Sequence, residues 1–162
     1  MADFDDEDSV TFSLVLLHEP SENLAGGEGL ALNVAARSLG GVYRASGHLQ
    51  RVSIGGKEFV RFGSTGLFGS VVLDPESGRV LQAGKRMNEG TLVNTSLDNF
   101  NECIEAFIGL RHLCSGESDD DWGRAAEELD GIVLGIDAEA HAVHNGFWHE
   151  LRWDIANGDF AD

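Results

Sequence analysis

Three histidines late in the chain, His141, His144 and His149, are the residues whose type and spacing come nearest to a metal site. Zinc chemistry needs imidazoles converging on one ion, which helical motifs such as His-Glu-x-x-His achieve by placing them four residues apart. Here the intervals are three and five. On a single helix His141 and His144 share a face and His149 does not, and Asn145-Gly146 interrupts such a helix. Solvated or capping histidines are therefore the favoured reading. Metal-assisted hydrolysis through His141 and His144 stands as the enzymatic alternative.

The other suggestive groups lack what their chemistry requires. Gly26-Gly27-Glu28-Gly29 is as glycine-rich as a phosphate loop, but it has no Gly-Lys-Ser/Thr ending and puts a carboxylate where phosphate would sit. Gly56-Lys57 is followed by Glu58 and fails in the same way. Ser96 has no Gly-x-Ser-x-Gly around it and fits a helix N-cap instead. Cys103 and Cys114 fall on one predicted helix, where eleven residues separate them by about 16 Å, beyond disulfide reach. Both read as buried, reduced thiols. Carboxylates are so numerous that spacing selects no acid and base pair. The sequence thus assigns no catalytic residue, no metal ligand and no cofactor.

Charge narrows the partners. The 162 residues carry 28 acids against 11 Lys and Arg, a formal net charge of -17. Such a surface repels nucleic acid and anionic membrane and attracts a basic protein. The acids cluster: Asp3, Asp5, Asp6, Glu7 and Asp8 open the chain, and nine lie between Glu117 and Glu139 against Arg124 alone. Between Ala35 and Gly90 the balance reverses, with eight Lys or Arg against four acids. The acidic N-terminus is the opposite of a cationic signal peptide, and the apolar run Leu14-Val15-Leu16-Leu17 is far short of a membrane span. The expected compartment is the cytoplasm.

These groups must be positioned by elements that the patterning indicates. Residues 1–9 read as an acidic, disordered tail, and residues 10–162 as one domain. Val10, Phe12, Leu14 and Leu16 alternate as in a strand, with Glu19-Pro20-Ser21-Glu22-Asn23 as a loop. Residues 30–39 read as a short helix closed by Gly40-Gly41. Strands are expected at 49–54, 57–62 and 67–73, joined by Gly55-Gly56 and Gly63-Ser64-Thr65-Gly66 in an antiparallel meander beginning near His48. Val71-Val72-Leu73 then meets Asp74-Pro75, where proline cannot continue a ladder, and Gly78 allows the turn into Arg79-Val80-Leu81. Ser96 opens a helix whose stripe is Leu97, Phe100, Cys103, Ile104, Phe107 and Ile108, ending near Cys114-Ser115-Gly116 with glycine as the cap. A second helix buries Trp122, Ala125, Ala126, Leu129, Ile132, Val133 and Ile136, and a third Phe147, Trp148, Leu151 and Ile155, closed by Gly158. Trp153 falls off that third stripe and reads as a surface residue.

Two segments have a specific form: the hairpin Asp74-Pro75-Glu76-Ser77-Gly78-Arg79-Val80 and the helix start Val93-Asn94-Thr95-Ser96-Leu97-Asp98-Asn99-Phe100. Their order, followed by Asp137-Ala138 and Phe147-Trp148, resembles the SUKH (Smi/Knr-like) superfamily of bacterial immunity proteins, and within it the fourth subfamily. The resemblance covers roughly residues 48–158. It implies an α+β fold, a mostly antiparallel sheet of four to six strands flanked by helices, here at 96–114, 120–134 and 146–157. It also implies a protein that catalyses nothing and neutralises a cognate polymorphic toxin domain, often a nuclease or a nucleic-acid deaminase. Such toxins bind nucleic acid through basic surfaces, so an acidic inhibitor can occlude them with carboxylates in place of phosphates. The residues expected to touch the toxin are Asp119, Asp120, Asp121, Glu127, Glu128, Asp130 and Trp153. A regulatory protein-binding scaffold of the same fold is the alternative.

Overall fold

The alternation at Val10, Phe12, Leu14 and Leu16 is that of a strand, and in the computed structural model this segment is β1 (Val10–Leu17). The structure describes residues 10–17, 29–36, 43–66, 69–84 and 90–160. The expected acidic tail, the loop at 19–23, Gly26-Gly27-Glu28 and Gly40-Gly41 lie outside the described residues. β1 pairs antiparallel with β2 (Gly29–Ala36), from Val10 opposite Ala36 to Leu17 opposite Gly29. This corrects the helix expected at 30–39. Leucine and alanine carry helix propensity, yet Leu30, Leu32 and Val34 also alternate, and an eight-residue ladder overrides a local preference.

The second sheet is a five-stranded antiparallel meander in the order β3 (Arg44–Ile54), β4 (Lys57–Thr65), β5 (Gly69–Leu73), β6 (Val80–Ala83) and β7 (Gly90–Asn94). β3 starts earlier than expected, and β7 is a strand that the sequence pattern did not indicate. Ile54 pairs with Lys57 across Gly55 and Gly56, whose φ angles of +59° and +85° suit a two-residue hairpin turn. Ile54, Phe59, Val72 and Ala83 form a buried cluster with Val52 and Leu81 packed against it. Full burial of such side chains contributes about 1.5–3 kcal/mol each.

The Asp74 hairpin explains its own sequence. The Asp74 carboxylate, 7% exposed, accepts from Glu76 N (2.9 Å), Ser77 Oγ (2.8 Å) and Lys57 Nζ (2.8 Å). Burial pushes this carboxyl up, but the bonds from Lys57, Glu76 and Ser77 outweigh it and hold it below the ordinary carboxylate range. Asp74 N donates to Arg79 O (2.8 Å), and Gly78 closes the turn at φ +76°.

The chain divides into two compact units, Met1–Thr91 and Leu92–Asp162, with the boundary inside β7. The second unit holds four helices, α1 (Leu97–Cys114), α2 (Asp119–Ile136), α3 (Ala138–His141) and α4 (Phe147–Ala156). α2 packs against α1, α3 and α4. Ser96 Oγ accepts from Asn99 N (3.1 Å) at the head of α1, and Ser118 Oγ accepts from Asp120 N (3.1 Å) at the head of α2. The C-cap of α1 is Ser115 in place of the expected Gly116. Ser115 N (2.9 Å) and Oγ (3.0 Å) both donate to Arg111 O, which satisfies that carbonyl without a left-handed residue. Gly158 does close α4 at φ +80°, and a Cβ there would lie 2.5 Å from the Trp122 ring. Among the described residues no helix is long and apolar enough to cross a membrane.

Candidate functional site

The two motifs of the helical unit, Asn94-Thr95-Ser96 and Asp137-Ala138, meet in one buried hydrogen-bond network. Asp137 Oδ2 accepts from Thr95 N (2.8 Å), Asn94 Nδ2 (3.0 Å) and Thr95 Oγ1 (3.2 Å), while its Oδ1 accepts from Ala140 N (3.3 Å) and so caps α3. The third motif joins through Trp148, whose Nε1 donates to Asn94 Oδ1 (2.9 Å). Phe147 and Trp148 stack edge-on at 4.8 Å, with Phe100 against both. Burial pushes the Asp137 carboxyl up, and the hydrogen bonds from Thr95, Asn94 and Ala140 together bring it below the ordinary value. Asn94 is 0% and Asp137 4% exposed, so these signature residues latch the helical unit and offer nothing to a ligand.

The groups that suggested chemistry are likewise engaged elsewhere. Ser96 Oγ is occupied as a cap. Burial pushes the Cys103 thiol up to about 12 and raises Cys114 as well, so both are protonated and unreactive at neutral pH. His141 sits at the end of α3 with Nε2 3.0 Å from Asp130 Oδ1, an oxygen that also accepts from Arg152 Nη1 (3.3 Å). His144 and His149 are exposed, and Asn145 at φ +56° ends any helical continuity between them and His141. His149 borders a shallow depression lined also by Leu129, Asp130, Val133, His141 and Trp148. Among the described residues no three His, Cys, Asp or Glu side chains are grouped to hold a metal ion.

The acids singled out by sequence have different surroundings. α2 buries Ala125, Ala126, Leu129 and Val133, which turns Asp120, Glu127 and Glu128 outward. Asp119 is exposed in the first turn. None of these four has a cationic partner among the described residues. Asp121 accepts from Arg124 Nη2 (3.0 Å), and Asp130 ties α2 to α3 and α4 through His141 and Arg152. Asp119, Asp120 and Asp121 also oppose the positive end of the α2 dipole, a stabilising role independent of any partner. Trp153 is 66% and Leu134 50% exposed, the two large hydrophobic side chains most open to solvent among the described residues.

Sequence reasoning missed Glu150, Asp154 and Asp159. Glu150 lies three residues before Trp153, Asp154 follows it, and the turn at Gly158 returns Asp159 towards Asp154, with Asp159 N donating to Asp154 O (3.0 Å). The spacing of Glu150 and Asp154 on one helix was the available signal.

The molecule is thus an α+β protein whose signature residues close an internal latch and whose α2 carries exposed carboxylates. The family model described as SUKH-4 immunity protein matches residues 32–154, and the chain belongs to that family. It is accordingly an immunity protein, and its partner is a toxin protein. No curated protein and no solved structure matches the chain.

Proposed function

We propose that this protein neutralises a cognate toxin domain in the cytoplasm by occluding a basic, nucleic-acid-binding surface, and that it catalyses nothing. The observation that carries this reading is the outward face of α2, where Asp119, Asp120, Glu127 and Glu128 stand exposed without cationic partners among the described residues, in a chain of net charge -17. Carboxylates arrayed in this way take the place of phosphates, which fits a nuclease or a nucleic-acid deaminase as the toxin. Asp121, Asp130 and Trp153 complete the proposed contact set.

Co-expression with the toxin domain encoded beside this gene tests the reading, scored by growth rescue and co-purification. The expected result is rescue with a stable complex. Replacing Asp119, Asp120, Glu127 and Glu128 by Asn or Gln should slow association about tenfold at low salt and flatten its salt dependence. Failure of both rescue and co-purification by folded protein would overturn the occlusion reading. An unchanged salt dependence in the variant would remove α2 from the interface.

A further inference from the structure

α4 buries Phe147, Trp148, Leu151 and Ile155, which turns Trp153 to the opposite side of the helix, with exposed Glu150 one turn before it and half-buried Asp154 on the flank beyond Glu150. Trp153 leaves an indole 66% exposed, a rigid aromatic surface of the kind enriched at binding hot spots. Its sequence neighbour Arg152 is the obvious cation to cover it, but the fold turns Arg152 towards Asp130 on α2, at 3.3 Å. Glu150 stands one helical turn before the indole, where side chains three apart lie about 5–6 Å from each other at Cβ. Asp159 reaches the Asp154 carboxyl through the Gly158 turn. Among the described residues no Lys, Arg or His pairs with Glu150, Asp154 or Asp159. The result is an exposed indole with Glu150 one turn before it and the Asp154–Asp159 pair on the adjoining flank, with no counter-charge among the described residues.

We propose that this face of α4 seats an arginine side chain of the toxin partner, its guanidinium lying on the Trp153 indole and bonding to the carboxylates of Glu150, Asp154 and Asp159. Arginine suits the site better than lysine. Its plane stacks on an aromatic ring while its edge donates to carboxylates, and it is more weakly hydrated than an ammonium. Burial, then the neighbouring Asp159 and Glu150, push the Asp154 carboxyl up, so the free site is short of positive charge and an incoming cation relieves it. The identity of the partner rests on the immunity reading above; the chemistry of the seat does not.

The full chain, labelled with nitrogen-15, allows the indole resonances of Trp122, Trp148 and Trp153 to be followed while a tri-arginine peptide is added, with tri-lysine as the charge-matched control. Loss of one peak in Trp153→Phe assigns it. The expected result is movement of the Trp153 resonance alone, with a midpoint about fivefold or more lower for tri-arginine than for tri-lysine. In E150Q/D159N that midpoint should rise about fivefold, with a melting temperature no lower than the wild type's showing that the fold is kept. Against the toxin itself, Trp153→Ala should weaken binding about tenfold or more. An unmoved Trp153 resonance, parity between the two peptides, or indifference to E150Q/D159N would overturn the seat. So would a Trp153 shift that grows with protein concentration and no peptide, since a second copy would then be the occupant. If the wild type binds no toxin, the occlusion reading falls and the peptide titration still decides the seat. If Trp153→Ala binds toxin as the wild type does, the seat is not where this partner lands.

Discussion

A carboxylate that accepts four hydrogen bonds at 4% exposure is held as an anion only by those donors. Asp137 therefore links folding to protonation, and the sign follows from its lowered value. A carboxyl whose folded value lies below its unfolded one, near 3.9, adds stability that is complete above that figure and is lost as pH falls through the folded value. Asp137→Asn should destabilise by about 2–4 kcal/mol at neutral pH, because it presents an amide to donors that need an acceptor. Its melting temperature, followed by circular dichroism, should decline less steeply between neutral and strongly acidic pH than that of the wild type. An equally steep decline would assign the acid sensitivity to other carboxyls. Asp154 works in the opposite sense. Burial, Asp159 and Glu150 raise its value, so its contribution favours folding at low pH and is lost as pH rises through the folded value. Asp154→Asn should raise the melting temperature of the free protein at neutral pH while weakening its hold on tri-arginine. A variant that is stabler and binds as well would separate Asp154 from the seat.

At the scale of elements, α2 carries Gly123, Gly131 and Gly135, and a Cβ at any of them meets nothing within 4 Å. Gly131 lies in the helix interior on an exposed position, where glycine costs about 0.5–1 kcal/mol relative to alanine, and Gly135 is exposed in the last turn. Gly131→Ala should stabilise by that amount, and Gly135→Ala by less, raising the melting temperature by roughly 2–4 °C per kcal/mol. No gain would mean that the backbone there departs from the helix in solution. The elements differ in how far local rules reveal them. The Asp74 hairpin, the Ser96 cap and the buried stripe of α4 follow from proline, a cap residue and a 3.6 period, and all three were legible. β7 was not, because five residues with Val93-Asn94 at the end read equally well as the approach to α1. β2 was misread, because its alternation is carried by Leu and Ala, whose local preference is helical. The latch was legible only as separate motifs. Nothing local shows that Asn94, 43 residues from Asp137 and 54 from Trp148, bonds to both. Trp153 was legible from its angle on α4 and Glu150 and Asp154 from their spacing along it, whereas the place of Asp159 required the turn at Gly158.

At the scale of the whole molecule, a net charge of -17 is a load on the free protein. Raising salt from about 0.01 to about 0.2 M shortens the screening length from roughly 30 Å to under 10 Å, which weakens repulsion among acids more than it weakens close pairs. The melting temperature of the free protein should therefore rise over that interval. A fall would show that Lys57–Asp74 and Arg152–Asp130, at 2.8 and 3.3 Å, outweigh the general repulsion. The latch also sets a clock. Asn94 cannot meet Trp148 until 54 further residues have left the ribosome, which at roughly 5–20 residues per second takes about 3–11 s. During that interval a buried amide, a carboxylate and the faces of α1 await their last partner. α2 is already synthesised by then, but it gains its packing against α4 only when α4 arrives, so the helical unit closes some seconds after most of its residues exist.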